Sequence, residues 1–156
     1  MDKTKLLLQK LIAKGMTLAT AESCTGGLLG KKITDLSGSS AAYLGGVISY
    51  CNDVKQRILD VSEEDLDAFG AVSEPTAWQM AEGVRKLLGA NLGVGITGIA
   101  GPNSDETNKP VGLVFIGVSN GQTILVREYH FLGDRAAVRE HACAEAVDLL
   151  LGLVGK

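Results

Sequence analysis

Residues 111–119 (VGLVFIGVS) and 122–131 (QTILVREYHF) are two strand-like runs with only Asn120 and Gly121 between them. An Asn-Gly step between apolar, β-branched runs is the strongest short-range signal for a β-hairpin, because both residues tolerate the positive φ that tight hairpin turns require. These two strands must be antiparallel. The earlier strand candidates are instead separated by helical stretches, as parallel strands joined by crossovers are. The chain therefore has to build a mixed sheet with helices covering its faces.

A pass along the chain supplies the other elements. The opening segment has apolar residues at Leu7, Leu8, Leu11 and Ile12 broken by Lys5, Gln9 and Lys10, which reads as an amphipathic helix ended by Gly15 rather than as a signal peptide. Residues 16–21 follow as a strand and residues 25–36 as a helix, which the Ser37, Gly38 turn stops. Residues 43–50 (YLGGVISY) form the next strand, and Asn52 is a suitable cap for a short helix carrying Val54, Ile58 and Leu59. Ser62 with Asp65 resembles a capping box opening a helix that Gly70 closes. Ser73, Glu74 and Pro75 start a longer helix that stops at Gly89, since proline is tolerated in a first turn whose N–H groups lack intrahelical partners. Residues 92–97 (LGVGIT) are a short buried strand, and Asp134 caps a last helix over residues 135–151. The expected fold is a three-layer α/β/α sandwich around a mixed, about five-stranded sheet, with residues 1–156 as one domain.

Composition excludes several functions. With 156 residues, 46% of them hydrophobic, the chain can bury roughly 70% of its unfolded surface without disulfides or metal. Cys24, Cys51 and Cys143 are odd in number and widely spaced, without a CxxC pair, so no disulfide framework or zinc site is indicated and a reducing, cytoplasmic setting fits. No apolar run approaches the roughly 20 residues that span a bilayer. The net charge of −3, dispersed basic residues and few aromatics argue against a nucleic-acid surface.

In open α/β sheets ligands gather where strands end and helices begin, because helix N-termini present unpaired N–H groups. Three such junctions stand out: AESCTGG at residues 21–27, TGIAGP at 97–102 and LGDRAAVRE at 132–140. In the first, Ser23 leaves the strand with Thr25 and Gly26 behind it, an arrangement suited either to a nucleophile facing an oxyanion hole or to an ordinary N-cap. Cys24 reads as a packing residue. Tyr50 and Lys55 follow the next strand; if that strand lies parallel to the first, Lys55 reaches toward Ser23, and otherwise it is a solvated surface lysine. A lysine acts as a base only when neutral, which desolvation favours. Arg135 and Arg139 share one helix face and suit a phosphate or carboxylate, or else pair with Asp134 or Glu140. Gly98 and Gly101 permit close backbone approach to a ligand, or simply a tight turn.

Taken together, AESCTGG, ITDLSGSSAAYLGGVISYCNDVK, GAVSEP, TGIAGP with KPVG, and the GDR helix start resemble the C-terminal domain of the competence/damage-inducible CinA family, in order and spacing over nearly the whole chain. The resemblance implies a stand-alone amidohydrolase that converts nicotinamide mononucleotide to nicotinate mononucleotide and ammonia in pyridine nucleotide recycling, without the extra N-terminal domain of longer family members. A non-catalytic nucleotide-binding module of the same fold is the alternative. On matching positions Ser23 becomes the nucleophile, Lys55 the general base and Tyr50 a hydroxyl that orients or relays the proton. Thr25 and Gly26 then face the oxyanion. The substrate phosphate is expected on Arg139 with Arg135 in support, or on the Gly98 to Gly101 loop. Glu22 stands either near the pyridinium or as a brace for the nucleophile loop. No metal or cofactor is implied, and a homodimer is.

Overall fold

The computed structural model describes residues 2–105 and 107–155. In chain order the elements are α1 (Lys3–Lys14), β1 (Leu18–Glu22), α2 (Leu28–Thr34), a 3-10 turn (Ser39–Ala41), β2 (Tyr43–Ile48), α3 (Asn52–Leu59), α4 (Glu63–Phe69), α5 (Glu74–Leu88), β3 (Leu92–Gly98), β4 (Leu113–Ser119), β5 (Ile124–His130) and α6 (Arg135–Val154). The strands form a single five-stranded sheet in the order β2-β1-β3-β4-β5. β1 runs parallel to both β2 and β3, while β3, β4 and β5 are successively antiparallel. The expected mixed α/β sandwich is the observed fold.

Several boundaries differ from the sequence reading, three of them for a clear local reason. Ser119 pairs with Ile124, so the hairpin turns on Gly121 and Gln122, one residue later than expected. Asn120 remains in the ladder, its N–H donating to Thr123 O at 3.1 Å, and its side chain accepts the Gln122 and Thr123 amides. Helix α2 begins at Leu28 rather than Thr25, because Gly26 and Gly27 adopt left-handed φ values of 58° and 105°. Asn52 is the first residue of α3 and not its cap, a position taken by Cys51. The Ser62 cap is as expected on one side only: its hydroxyl accepts from Asp65 N, but its own N–H is taken by Gln79 from α5.

The two sheet faces are packed in different ways. Leu18, Leu92, Val94, Ile96, Val114, Ile116 and Val118 meet α1, α2 and α6 in one apolar core. Buried positions of α6 such as Val138, Ala142, Val147 and Leu150 belong to that core, which accounts for the apolar character of the last helix. The opposite face is nearly bare, with Ala19 and Ala21 on β1 and glycines at 93, 95 and 117, so α5 lies directly on the strands. A Cβ at Gly95 would stand 2.7 Å from both Ala81 N and Met80 Cβ, positions that cannot yield without moving the helix. Gly95→Ala is accordingly expected to destabilise the fold by about 3 kcal/mol, the upper end of ordinary overpacking, measured as a lowered urea midpoint.

Candidate active site

The parallel arrangement brings the C-terminal ends of β1, β2 and β3 to one edge of the sheet. Each adjoining ladder continues one bond beyond its strand, with Ser23 N donating to Ile96 O at 3.0 Å and Ser49 N donating to Glu22 O at 2.8 Å. Ser23 is thereby fixed at the edge, only 8% exposed. Helix α3 then turns back across that edge and directs Lys55 inward. The Lys55 side chain is among the most buried in the molecule, at 1% exposure. Its Nζ lies 3.1 Å from Ser23 Oγ and donates to Ser49 O at 2.6 Å.

Burial dominates the chemistry of that amine. Among the described residues no carboxylate hydrogen-bonds to Nζ, and desolvation lowers its pKa to about 8, opposed by smaller contributions from Cys51 and Cys24. A group with this pKa is partly neutral near pH 8 and can then accept the proton of the hydroxyl it faces. Cys24 behaves in the opposite sense: burial pushes its thiol up to about 11, which leaves this neighbour of Ser23 protonated and inert. His130 pairs with Glu128 at the surface and His141 stacks on Phe131, so neither joins Ser23.

Glu22 is a brace. Its buried carboxylate accepts from Leu29 N at 2.9 Å and Gly30 N at 3.0 Å, satisfying two orphan donors in the first turn of α2 and tying that helix to the residue before Ser23. Replacing it with Gln turns one acceptor into a donor facing an N–H. Glu22→Gln is expected to lose about 1–3 kcal/mol of stability, read from denaturant unfolding.

The remaining sequence candidates divide between cavity and scaffold. A cavity of about 270 Å³ opens beside the pair and is lined by Ser23, Cys24, Tyr50 and Lys55, by Gly98 to Gly101 from the end of β3, and by Arg135. Tyr50 is 65% exposed, and its hydroxyl accepts from Arg135 at 3.3 Å rather than contacting Lys55. Arg135 also donates to Gly101 O at 2.8 Å, which holds its guanidinium at the mouth. Arg139 lies outside the cavity lining. Its Nε and Nη2 donate to Cys24 O at 3.1 Å and Thr25 O at 2.8 Å, so it anchors the loop that follows Ser23.

The two residues expected to face the oxyanion differ in their surroundings. Thr25 is fully buried, and the Gly26 N–H is already donated to Ser23 O at 3.1 Å. The amides of Thr25 and of several cavity-lining residues, Cys24, Ala100 and Gly101 among them, donate to no oxygen of the described residues. Gly98 and Gly101 are required by packing: a Cβ would stand 2.6 Å from Val114 Cγ2 at the first and 2.5 Å from Val111 Cγ1 at the second. Sequence reasoning missed Ser49, which acts through its carbonyl and so leaves no mark in residue type. It also missed the wall residues Ala71 and Val72, whereas Thr97 opens the TGIAGP junction.

Fold and site define an α/β protein whose buried lysine and serine meet at the C-terminal edge of a mixed sheet. The family model for the CinA C-terminal domain matches residues 2–154, and the chain belongs to that family. A CinA-like protein of Trichodesmium erythraeum is 52% identical over 143 residues, which make up 90% of this chain and 34% of that protein. The chain spans about a third of the length of the curated relatives it matches. Solved structures match over nearly their full length. A competence-damaged protein (CinA) superfamily protein from Enterobacter cloacae superposes with a TM-score of 0.95 at 34% identity, covering 98% of this chain and 90% of that one. The competence/damage inducible protein CihA from Agrobacterium tumefaciens gives 0.91 at 36% identity, covering 100% and 98%. Among the described residues no helix is long and apolar enough to cross a membrane.

Proposed function

We propose that this chain hydrolyses the carboxamide of nicotinamide mononucleotide, releasing ammonia and nicotinate mononucleotide, as a cytoplasmic step of pyridine nucleotide recycling. The observation that carries the reading is the buried Lys55 amine 3.1 Å from the Ser23 hydroxyl with its pKa lowered to about 8. Neutral Lys55 takes the Ser23 proton while Oγ attacks the carboxamide carbon. The carbonyl oxygen becomes an oxyanion, for which Cys24, Ala100 and Gly101 supply candidate backbone donors. The Lys55 ammonium then returns its proton to the departing nitrogen, the C–N bond breaks, and ammonia leaves an acyl ester on Ser23. Water, deprotonated by Lys55, attacks that ester; the acid product departs and Ser23 recovers its proton.

At the cavity mouth the Arg135 guanidinium, held by Gly101 O and Tyr50, is the proposed partner of the 5′-phosphate. Tyr50 then contributes by fixing that guanidinium. Arg135→Met is expected to raise KM for the nucleotide about tenfold or more, the scale of one charge-assisted hydrogen bond, and to leave the KM of the nucleoside lacking phosphate nearly unchanged. The test of the whole reading is release of ammonia from nicotinamide mononucleotide by the purified protein. Binding of the nucleotide without release would instead support a non-catalytic binding module.

A further inference from the structure

The segment between α4 and α5 forms part of the cavity wall, through Ala71 and Val72, although it belongs to no helix or strand. The carbonyls of Gly70, Ala71 and Val72, with that of Phe69 at the end of α4, are nevertheless all held by side chains. Gly70 O accepts from the hydroxyls of Ser73 and Thr76 at 2.9 and 3.1 Å, and Ala71 O accepts from Thr97 Oγ1 at 2.8 Å. Phe69 O and Val72 O both accept from Lys109 Nζ, at 2.5 and 2.6 Å.

Lys109 differs from the other donors in its origin. Ser73 and Thr76 are local to the start of α5 and Thr97 belongs to β3, whereas Lys109 comes from the long connection between β3 and β4. That connection opens with Gly101, Asn103, Ser104 and Asp105, which line the same cavity. One ammonium therefore ties the α4–α5 segment to the connection that carries the other irregular wall residues. Its position also suits a cation, because the Phe69 carbonyl closes the last turn of α4, the negative end of the helix dipole. Gly70, with φ of 81°, leaves the approach open; a Cβ there would stand 3.3 Å from Nζ.

We propose that Lys109 is a positioning residue for this site, holding the Ala71–Val72 wall and the Gly101–Asp105 wall in the register that receives the nucleotide. Its kinetic consequence rests on the amidohydrolase reading; its structural consequence does not. In the full chain, Lys109→Met is expected to raise KM for nicotinamide mononucleotide about tenfold with kcat within about twofold, less than the hundredfold that a 1 Å misplacement of reacting groups can cost. Amide hydrogen exchange should accelerate in residues 69–73 and 99–105 but not in α1 or α6. Lys109→Arg, a cation able to bridge both carbonyls, should restore most of the KM and the slow exchange. Unchanged exchange in both wall segments overturns the proposal, as does a loss of kcat with unchanged KM that follows a general fall in Tm. If the wild-type protein releases no ammonia, the hydrolase reading fails, and the exchange measurements on the two variants still decide the role of Lys109.

Discussion

Ser23→Ala is expected to abolish ammonia release from nicotinamide mononucleotide, with kcat falling by at least about 10³ because a nucleophile that forms the covalent intermediate has no substitute. The variant should remain folded. Ser23 Oγ contacts Lys55 Nζ, which keeps its second partner in the Ser49 carbonyl, and the backbone bond from Ser23 N to Ile96 O is independent of the side chain. Nucleotide affinity should be nearly retained, since the mouth residues are untouched. The check is a steady-state assay beside a binding titration and a thermal melt. Full turnover by the variant would remove Ser23 from the mechanism, and loss of turnover together with loss of fold would leave a structural serine.

Lys55→Met should reduce kcat by at least about 100-fold, the lower end of what a positioned general base contributes. The pH profile of the wild-type protein supplies the companion result. The base must be neutral, so kcat/KM should rise with pH through an apparent midpoint near the lowered value of about 8 and then level off. Stability carries the same signature. The amine has a pKa of about 8 when folded and 10.5 as the ordinary value, so between these the unfolded chain holds a proton that the folded chain has released. Stability attributable to this group therefore rises with pH across that window, by about 1.4 kcal/mol per unit at most. Its penalty is fully present below about pH 8. Lys55→Met should lack that rise when wild type and variant are compared by urea unfolding at matched pH. Equal slopes for the two proteins would mean that Lys55 titrates as an exposed lysine does.

Periodicity and turn chemistry made most of the fold legible. Gly15, Ser62, Ser73, Gly89 and Asp134 stop or start helices where their side chains and φ preferences place them. Boundaries slipped where a backbone preference was overruled locally, as at Gly26 and Gly27, whose left-handed conformations delay α2, and at Asn120, whose side chain accepts two amides and shifts the turn. The glycines of β3 were visible, but the helix lying on them was not, because a missing Cβ does not reveal what fills its space.

The site divides in the same way. Residue type and the strand-to-helix junctions marked Ser23, Tyr50, Lys55 and Arg135 as candidates, and the family resemblance supplied their roles. The amino-acid sequence by itself determined the α/β architecture, the strand ends at which ligands gather and the residues able to do chemistry there, since all of these follow from local periodicity and side-chain chemistry. Only the tertiary structure decided that Lys55 is buried against Ser23, that Glu22 braces α2, and that Arg139 holds the Cys24 and Thr25 carbonyls while Arg135 remains at the cavity. The physical reason is common to all three. Whether a charged group serves as base, brace or ligand depends on its desolvation and on the partner that reaches it first, and both are set by segments far away in the chain.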